Sequence, residues 1–139
     1  MRKFVTAIAI ATIALAGGAA SAKQTLAEKG QAKLEKMLQG RVAGKPVSCI
    51  STLQNSNLTV IDKTALVYGT GTTIYVNRTK DPRWIDRDDI LVTHPTQGGQ
   101  LCKLDSVRTV DRGSRMPGAA ILLEDFVPYT KLTKVKHRD

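Results

Sequence analysis

His94 and Ser114 are the first residues in this chain of 139 whose types suit covalent chemistry. A serine nucleophile works only with a base held against it. His94 follows an apolar segment and precedes Pro95, which places it in a turn. Ser114 stands in Gly113-Ser114-Arg115, without the flanking pattern of a nucleophile elbow. The other histidine, His137, lies in a basic tail. The plain expectation is a surface histidine and a turn serine. The alternative is a hydrolase that uses His94 with Ser114 or with the acidic loop at 86–89. In that loop Asp86, Asp88 and Asp89 form the densest cluster of carboxylates. Such a cluster suits a hard cation such as calcium. However, Ile90 stands where the EF-hand loop requires an oxygen ligand, and Arg83 and Arg87 are close enough to pair with the acids. A solvated, ion-paired loop is therefore expected, with no metal. Zinc is less suited still, because two distant histidines do not make its ligand set.

Three further features bear on binding. Trp84, the only tryptophan, lies in the same charged loop. It suits either an exposed anchor, with large apolar area and one donor, or a cap on the core beside Ile85; burial of large aromatics favours the cap. Arg112 and Arg115 flank a glycine turn and could grip a phosphate or carboxylate, although Asp111 is a local partner for them. Gly40-Arg41-Val42-Ala43-Gly44-Lys45-Pro46 has the glycines and lysine of a phosphate-binding loop, but one residue too few between the glycines and Pro46 in place of the magnesium-binding Ser or Thr. It reads as a linker, and no cofactor is expected.

Behind these side chains stand the segments that must position them. Arg2 and Lys3, the apolar run 4–16 and Ala20-Ser21-Ala22 make a secretory signal peptide over residues 1–22, with a run too short to span a bilayer. Export to the periplasm or beyond decides how Cys49 and Cys102 are read. An even pair without C-x-x-C spacing, in an oxidising compartment, is a structural disulfide. Removing residues 1–22 leaves 117 residues, enough for one domain, and lowers the apolar fraction from 42% to about 37%, low for a globular chain. No later segment is long and apolar enough for a membrane span. The net charge falls from +9 to +7 when Arg2 and Lys3 are lost. A scattered basic surface of this kind suits solubility, and it also suits attraction to anionic envelope components. Nucleic acid is not an expected partner, since no basic groove with interleaved aromatics is present.

Residues 23–46 should form a helix and linker. Thr25-Leu26-Ala27-Glu28 fits a capping box. Leu26, Gly30, Leu34, Met37 and Leu38 make one stripe, with Lys29, Lys33 and Lys36 off it, and Gly40 ends the helix in a left-handed turn. The stripe should pack on the domain; an exposed amphipathic segment is the alternative. From 47 to 130 the pattern is short β segments, at 47–51, 58–62, 65–68, 72–77, 90–93, 101–104, 106–110 and 119–123, with 126–129 as an edge strand because of Pro128. Ile74 and Val76 share one face and Tyr75 the other. Residues 78–89 read as a loop and 131–139 as a basic tail. The fold class is mainly β: a small antiparallel barrel or sandwich with one N-terminal α-helix, placed at one end, and one disulfide.

From about Gly40 to Thr130 the chain resembles a family of small exported proteins of unknown function from proteobacteria, sphingomonads in particular. The resemblance rests on the run from Arg41 to Ile50, on Tyr75-Val76-Asn77-Arg78, on the run from Asp86 to Thr93, on Leu101-Cys102, on the run from Val110 to Arg115, and on Asp125-Phe126-Val127-Pro128-Tyr129. It implies the same layout of signal peptide, short helix and cysteine-containing β region, and implies no activity. More distant relatives carry extra cysteines that this chain lacks, so only the Cys49–Cys102 pair is carried over. Together these readings lead to an exported, non-enzymatic binding or envelope-associated module. Its expected partner is an anionic envelope component or another envelope protein.

Overall fold

A computed structural model describes residues 24–132. The signal-like segment and the tail beyond Leu132 lie outside the described residues. Helix α1 (Leu26–Leu38) starts at the expected capping box: the Glu28 N–H donates to Thr25 Oγ1 at 3.2 Å, and the Thr25 N–H donates to Glu28 Oε2 at 2.7 Å. Gly40 follows the helix with φ +72°, a conformation that costs glycine nothing. Ten strands come after it: β1 (Arg41–Ala43), β2 (Cys49–Ser51), β3 (Leu58–Ile61), β4 (Ala65–Tyr68), β5 (Thr73–Asn77), β6 (Ile90–His94), β7 (Gln100–Cys102), β8 (Ser106–Val110), β9 (Pro117–Ile121) and β10 (Val127–Lys131). They form three antiparallel sheets, ordered β1-β10-β5-β4-β3, β2-β7 and β6-β8-β9.

The five-stranded sheet is the middle layer, and strand alternation explains why. On β4, Ala65 and Val67 face one side and Leu66 and Tyr68 the other, and all four are buried. Ile74 and Val76 share the first side, with Tyr75 opposite, as the sequence pattern predicts. On the first side the sheet packs against α1 through Leu34, Met37 and Leu38. The helix thus lies on the sheet's face and not at its end. On the other side lies the larger core, where Leu66 and Tyr68 meet Ile50 and Leu101 of the β2-β7 pair, Val107 and Ile121 of the three-stranded sheet, and Ile85, Leu123 and Phe126 from the connections. Cys49 and Cys102 are directly opposite each other in the β2-β7 ladder and form the disulfide, with Cα atoms 4.0 Å apart.

Three strand assignments differ notably from the sequence reading, the first two for linked reasons. Residues 41–43 lie in the expected linker yet form β1, which pairs with β10. Consequently β10 is internal, flanked by β1 and β5, although it contains Pro128. Proline is tolerated there because its carbonyl, which accepts from the Gly44 N–H at 2.8 Å, faces the side where β1 ends, so no ladder donor is missed. Similarly, β9 begins at Pro117, two residues earlier than the apolar pattern suggests, because it is an edge strand.

Gly30 decides how closely α1 seats. A Cβ at this position would lie 2.0 Å from Thr64 Oγ1 and 2.6 Å from the Asp62 carbonyl oxygen. The second contact is backbone and cannot swing away. Gly30→Ala is therefore expected to destabilise the protein by about 1–3 kcal/mol, the range for overpacking, even though alanine is the better helix former. Denaturant unfolding of the two proteins measures it, and an unchanged midpoint would mean that the helix is not seated on the 62–64 turn.

Candidate functional site

The β3–β4 turn, the segment 81–89 and the 111–116 turn meet at one corner of the molecule. A single 3-10 turn, Pro82–Trp84, leads into the corner, and the Ile85 N–H closes it by donating to the Pro82 carbonyl at 3.0 Å. The Lys63 N–H donates to the Ile85 carbonyl at 2.9 Å. Ile85 is thereby drawn fully into the core, and Trp84 is left 55% exposed. This reverses the expectation that Trp84 caps the core: Ile85 fills that position and the indole stays outside.

Asp62 and Asp86 of the corner are engaged by cations and backbone donors. Lys63 Nζ is 3.4 Å from Asp86 Oδ2, and Arg87 Nε is 3.4 Å from Asp62 Oδ2. The Arg87 N–H also donates to Asp62 Oδ1 at 2.8 Å, which fixes the loop to the turn. Asp86 Oδ1 accepts the Asp88 N–H at 2.9 Å. This bond, aided by Lys63, holds the Asp86 carboxyl below the usual carboxylate range. A little upstream, the Arg83 guanidinium holds Asp81 down to about 2. Such exposed pairs contribute little stability each; their effect is to orient the loop. Among the described residues no group of three His, Cys, Asp or Glu side chains is placed to hold a metal ion. Of Asp86, Asp88 and Asp89, only Asp86 is in an ion pair among the described residues, with Lys63; Arg83 and Arg87, expected from the sequence to pair with this cluster, pair with Asp81 and Asp62.

Arg112 reaches this loop, its Nε donating to the Asp88 carbonyl at 3.2 Å. Arg115 does not converge with it; it takes φ +60° and closes the 111–116 turn by donating its N–H to the Asp111 carbonyl at 2.9 Å. The Asp111 carboxylate is the local partner of Ser114 and not of an arginine side chain: its Oδ1 accepts both the Ser114 N–H at 2.6 Å and the Ser114 hydroxyl at 2.8 Å. These bonds hold the Asp111 carboxyl low and occupy the serine. His94 is at the far end of the same sheet. It pairs with Ser106, while Ile90, at the end adjoining the 86–89 loop, pairs with Val110 just before the Ser114 turn. Four residue steps along the strand separate the two ends, about 13 Å. The ladder thus keeps His94 apart from both Ser114 and the aspartates.

What the corner does offer is a cationic cleft. Lys29 and Lys33 of α1 line it on one side and Arg87 on the other, with Leu26, Ile61 and Asp62 between them. Its volume is about 240 Å³. Asp62 is already paired with Arg87, so the two exposed lysines carry the uncompensated charge. They stand four residues apart on one helical face, where like charges repel, and a bound anion would relieve that repulsion. The Lys29–Lys33 spacing is visible in the sequence, but nothing in the sequence signals that Arg87 joins them from 54 residues away. Among the described residues no helix is long and apolar enough to cross a membrane.

A scan against protein-family models, a search of curated proteins and a search of solved structures each returned no match.

Proposed function

We propose that the protein is an exported, non-enzymatic binding module that docks on anionic components of the cell envelope through the Lys29–Lys33–Arg87 cleft. The observation that carries this reading is the cleft itself, where three cations surround one carboxylate that is already paired. Two further features support it. The Cys49–Cys102 disulfide suits an oxidising compartment. The net charge is strongly positive, so encounter with an anionic surface is favoured by the field of the whole molecule. The exposed Trp84, on the loop that supplies Arg87, is positioned to add apolar contact at such a surface.

Sedimentation with phosphatidylglycerol vesicles tests the reading. Binding should be strong at low salt, weak at high salt and absent with phosphatidylcholine. Each basic residue near an anionic surface adds about 1 kcal/mol, so Lys29→Gln with Lys33→Gln should weaken binding about 30-fold. Gln is chosen because it keeps helix propensity. Retention that ignores salt, or a double variant that binds as well as the parent, would count against the cleft.

A further inference from the structure

A second cleft lies on the other flank of α1 from the cationic one. The cationic cleft borders β3, an edge of the middle sheet; this one lies over β5 and β10, on the far side of β4. Its floor is Val76 of β5, and Pro46 with Val127 and Tyr129 of β10 forms apolar walls. Arg78 and Glu124 bring charges of both signs to the lining. Asp125 lines it too but is already occupied: Lys103 Nζ is 2.9 Å from its Oδ1, and the Ser48 hydroxyl donates to the same oxygen at 3.3 Å. The volume is about 240 Å³, below the roughly 300 Å³ at which clefts for drug-sized molecules begin, so it suits a smaller ligand.

Arg78 and Glu124 are both exposed, and neither is in an ion pair among the described residues. Arg78 Nη1 donates to Gln31 Oε1 of α1 at 3.3 Å, a bond that leaves the other guanidinium donors unengaged. The main chain that carries the two charges is, by contrast, fixed. Asn77 is fully buried and clamps it: Nδ2 donates to the Glu124 carbonyl, while Oδ1 accepts the Glu124 N–H at 3.1 Å and the Thr79 N–H at 3.0 Å. Thr79 takes φ +53°, an outlier for a β-branched residue that persists only where the surroundings enforce it. Strain of this kind concentrates at ligand sites. Here it sits between the residue that supplies the cation and the clamp that holds the anion, so two opposite charges flank an apolar floor without meeting each other.

We infer that this cleft binds a free α-amino acid with an apolar side chain. Arg78 takes the carboxylate, Glu124 takes the ammonium, and Pro46, Val127 and Tyr129 receive the side chain. A zwitterion is the ligand class that answers both charges at once. A simple anion meets Arg78 but is repelled by Glu124 and Asp125; a simple cation meets Glu124 but is repelled by Arg78. No residue of this cleft lines the cationic one, so the two sites stand or fall separately.

L-Leucine is a suitable probe. Titrated into the disulfide-bonded protein, it should give saturable amide NMR shifts at Arg78, Glu124, Val127 and Tyr129. Isocaproate, which lacks the amine, and isoamylamine, which lacks the carboxylate, should each bind at least about tenfold more weakly. Arg78→Gln and Glu124→Gln should each weaken leucine binding about tenfold with the Tm unchanged, because both side chains are exposed. Lys80→Gln removes a nearby cation outside the cleft and should leave leucine affinity as it is, as should the Lys29→Gln/Lys33→Gln variant, which tests the cationic cleft instead. The inference is overturned by an absence of saturable shifts at millimolar leucine, by isocaproate or isoamylamine binding as tightly as leucine, or by unchanged leucine affinity in Arg78→Gln or Glu124→Gln.

Discussion

Reducing the Cys49–Cys102 bond should lower the stability of the protein by about 4 kcal/mol, the chain-entropy value for a closed loop of this length. The two cysteines are 53 residues apart. The loop they close contains β3, β4, β5, β6 and the 81–89 segment, that is, most of the middle sheet and one strand of the facing one. Cutting the link frees all of this in the unfolded chain while costing the folded state few contacts, because the β2-β7 ladder and the Ile50–Leu101 pair remain. The effect is large relative to the roughly 5–15 kcal/mol that holds a domain of this size together. It weighs more here because a single domain of this size has a small core to rely on. Guanidinium unfolding with and without reductant measures it, and the Cys49→Ser/Cys102→Ser double variant should match the reduced protein. A loss below about 1 kcal/mol would show that the unfolded chain is already held compact around these two strands.

The elements most legible in the sequence are those whose signals are local. The capping box and stripe fix α1, and alternation fixes the faces of β5, because both follow from periodicity within a few residues. What fails is whatever depends on a distant partner. Residues 41–43 look like a linker, since Gly40, Gly44 and Pro46 frame them; they become a strand only because β10 offers an edge. Pro128 reads as an edge marker, and it is tolerated inside the sheet only because β1 stops at Ala43. Trp84 reads as a core residue by its type, yet the hydrogen bond from Lys63 to Ile85 settles which of the two neighbours turns inward. The same distinction governs the sites. The sequence marks His94, Ser114 and the aspartates by residue type, and the β6-β8 register then spaces them apart. The cationic cleft is not marked by residue type, because Arg87 acquires its significance only from neighbours contributed by another element.

Replacing Phe126 with alanine should cost about 3–5 kcal/mol, the usual loss for a buried aromatic. Phe126 is fully buried in the larger core, at the connection between β9 and β10. Its backbone is pinned from outside that core: its N–H donates to the Val47 carbonyl at 2.8 Å, and its carbonyl accepts from the Val47 N–H at 2.9 Å. These two bonds keep the main chain where it is when the ring is lost, so the cavity cannot close by local collapse, and the loss should fall toward the upper part of the range. Phe126→Leu retains most of the volume and should cost much less, which separates cavity formation from any defect in the connection. The ring is also the edge-on neighbour of Tyr68. Chemical unfolding measures the stability change. A loss below about 1.5 kcal/mol for the alanine variant would mean that the facing sheets close over the gap, and hence that the core is softer than its burial implies.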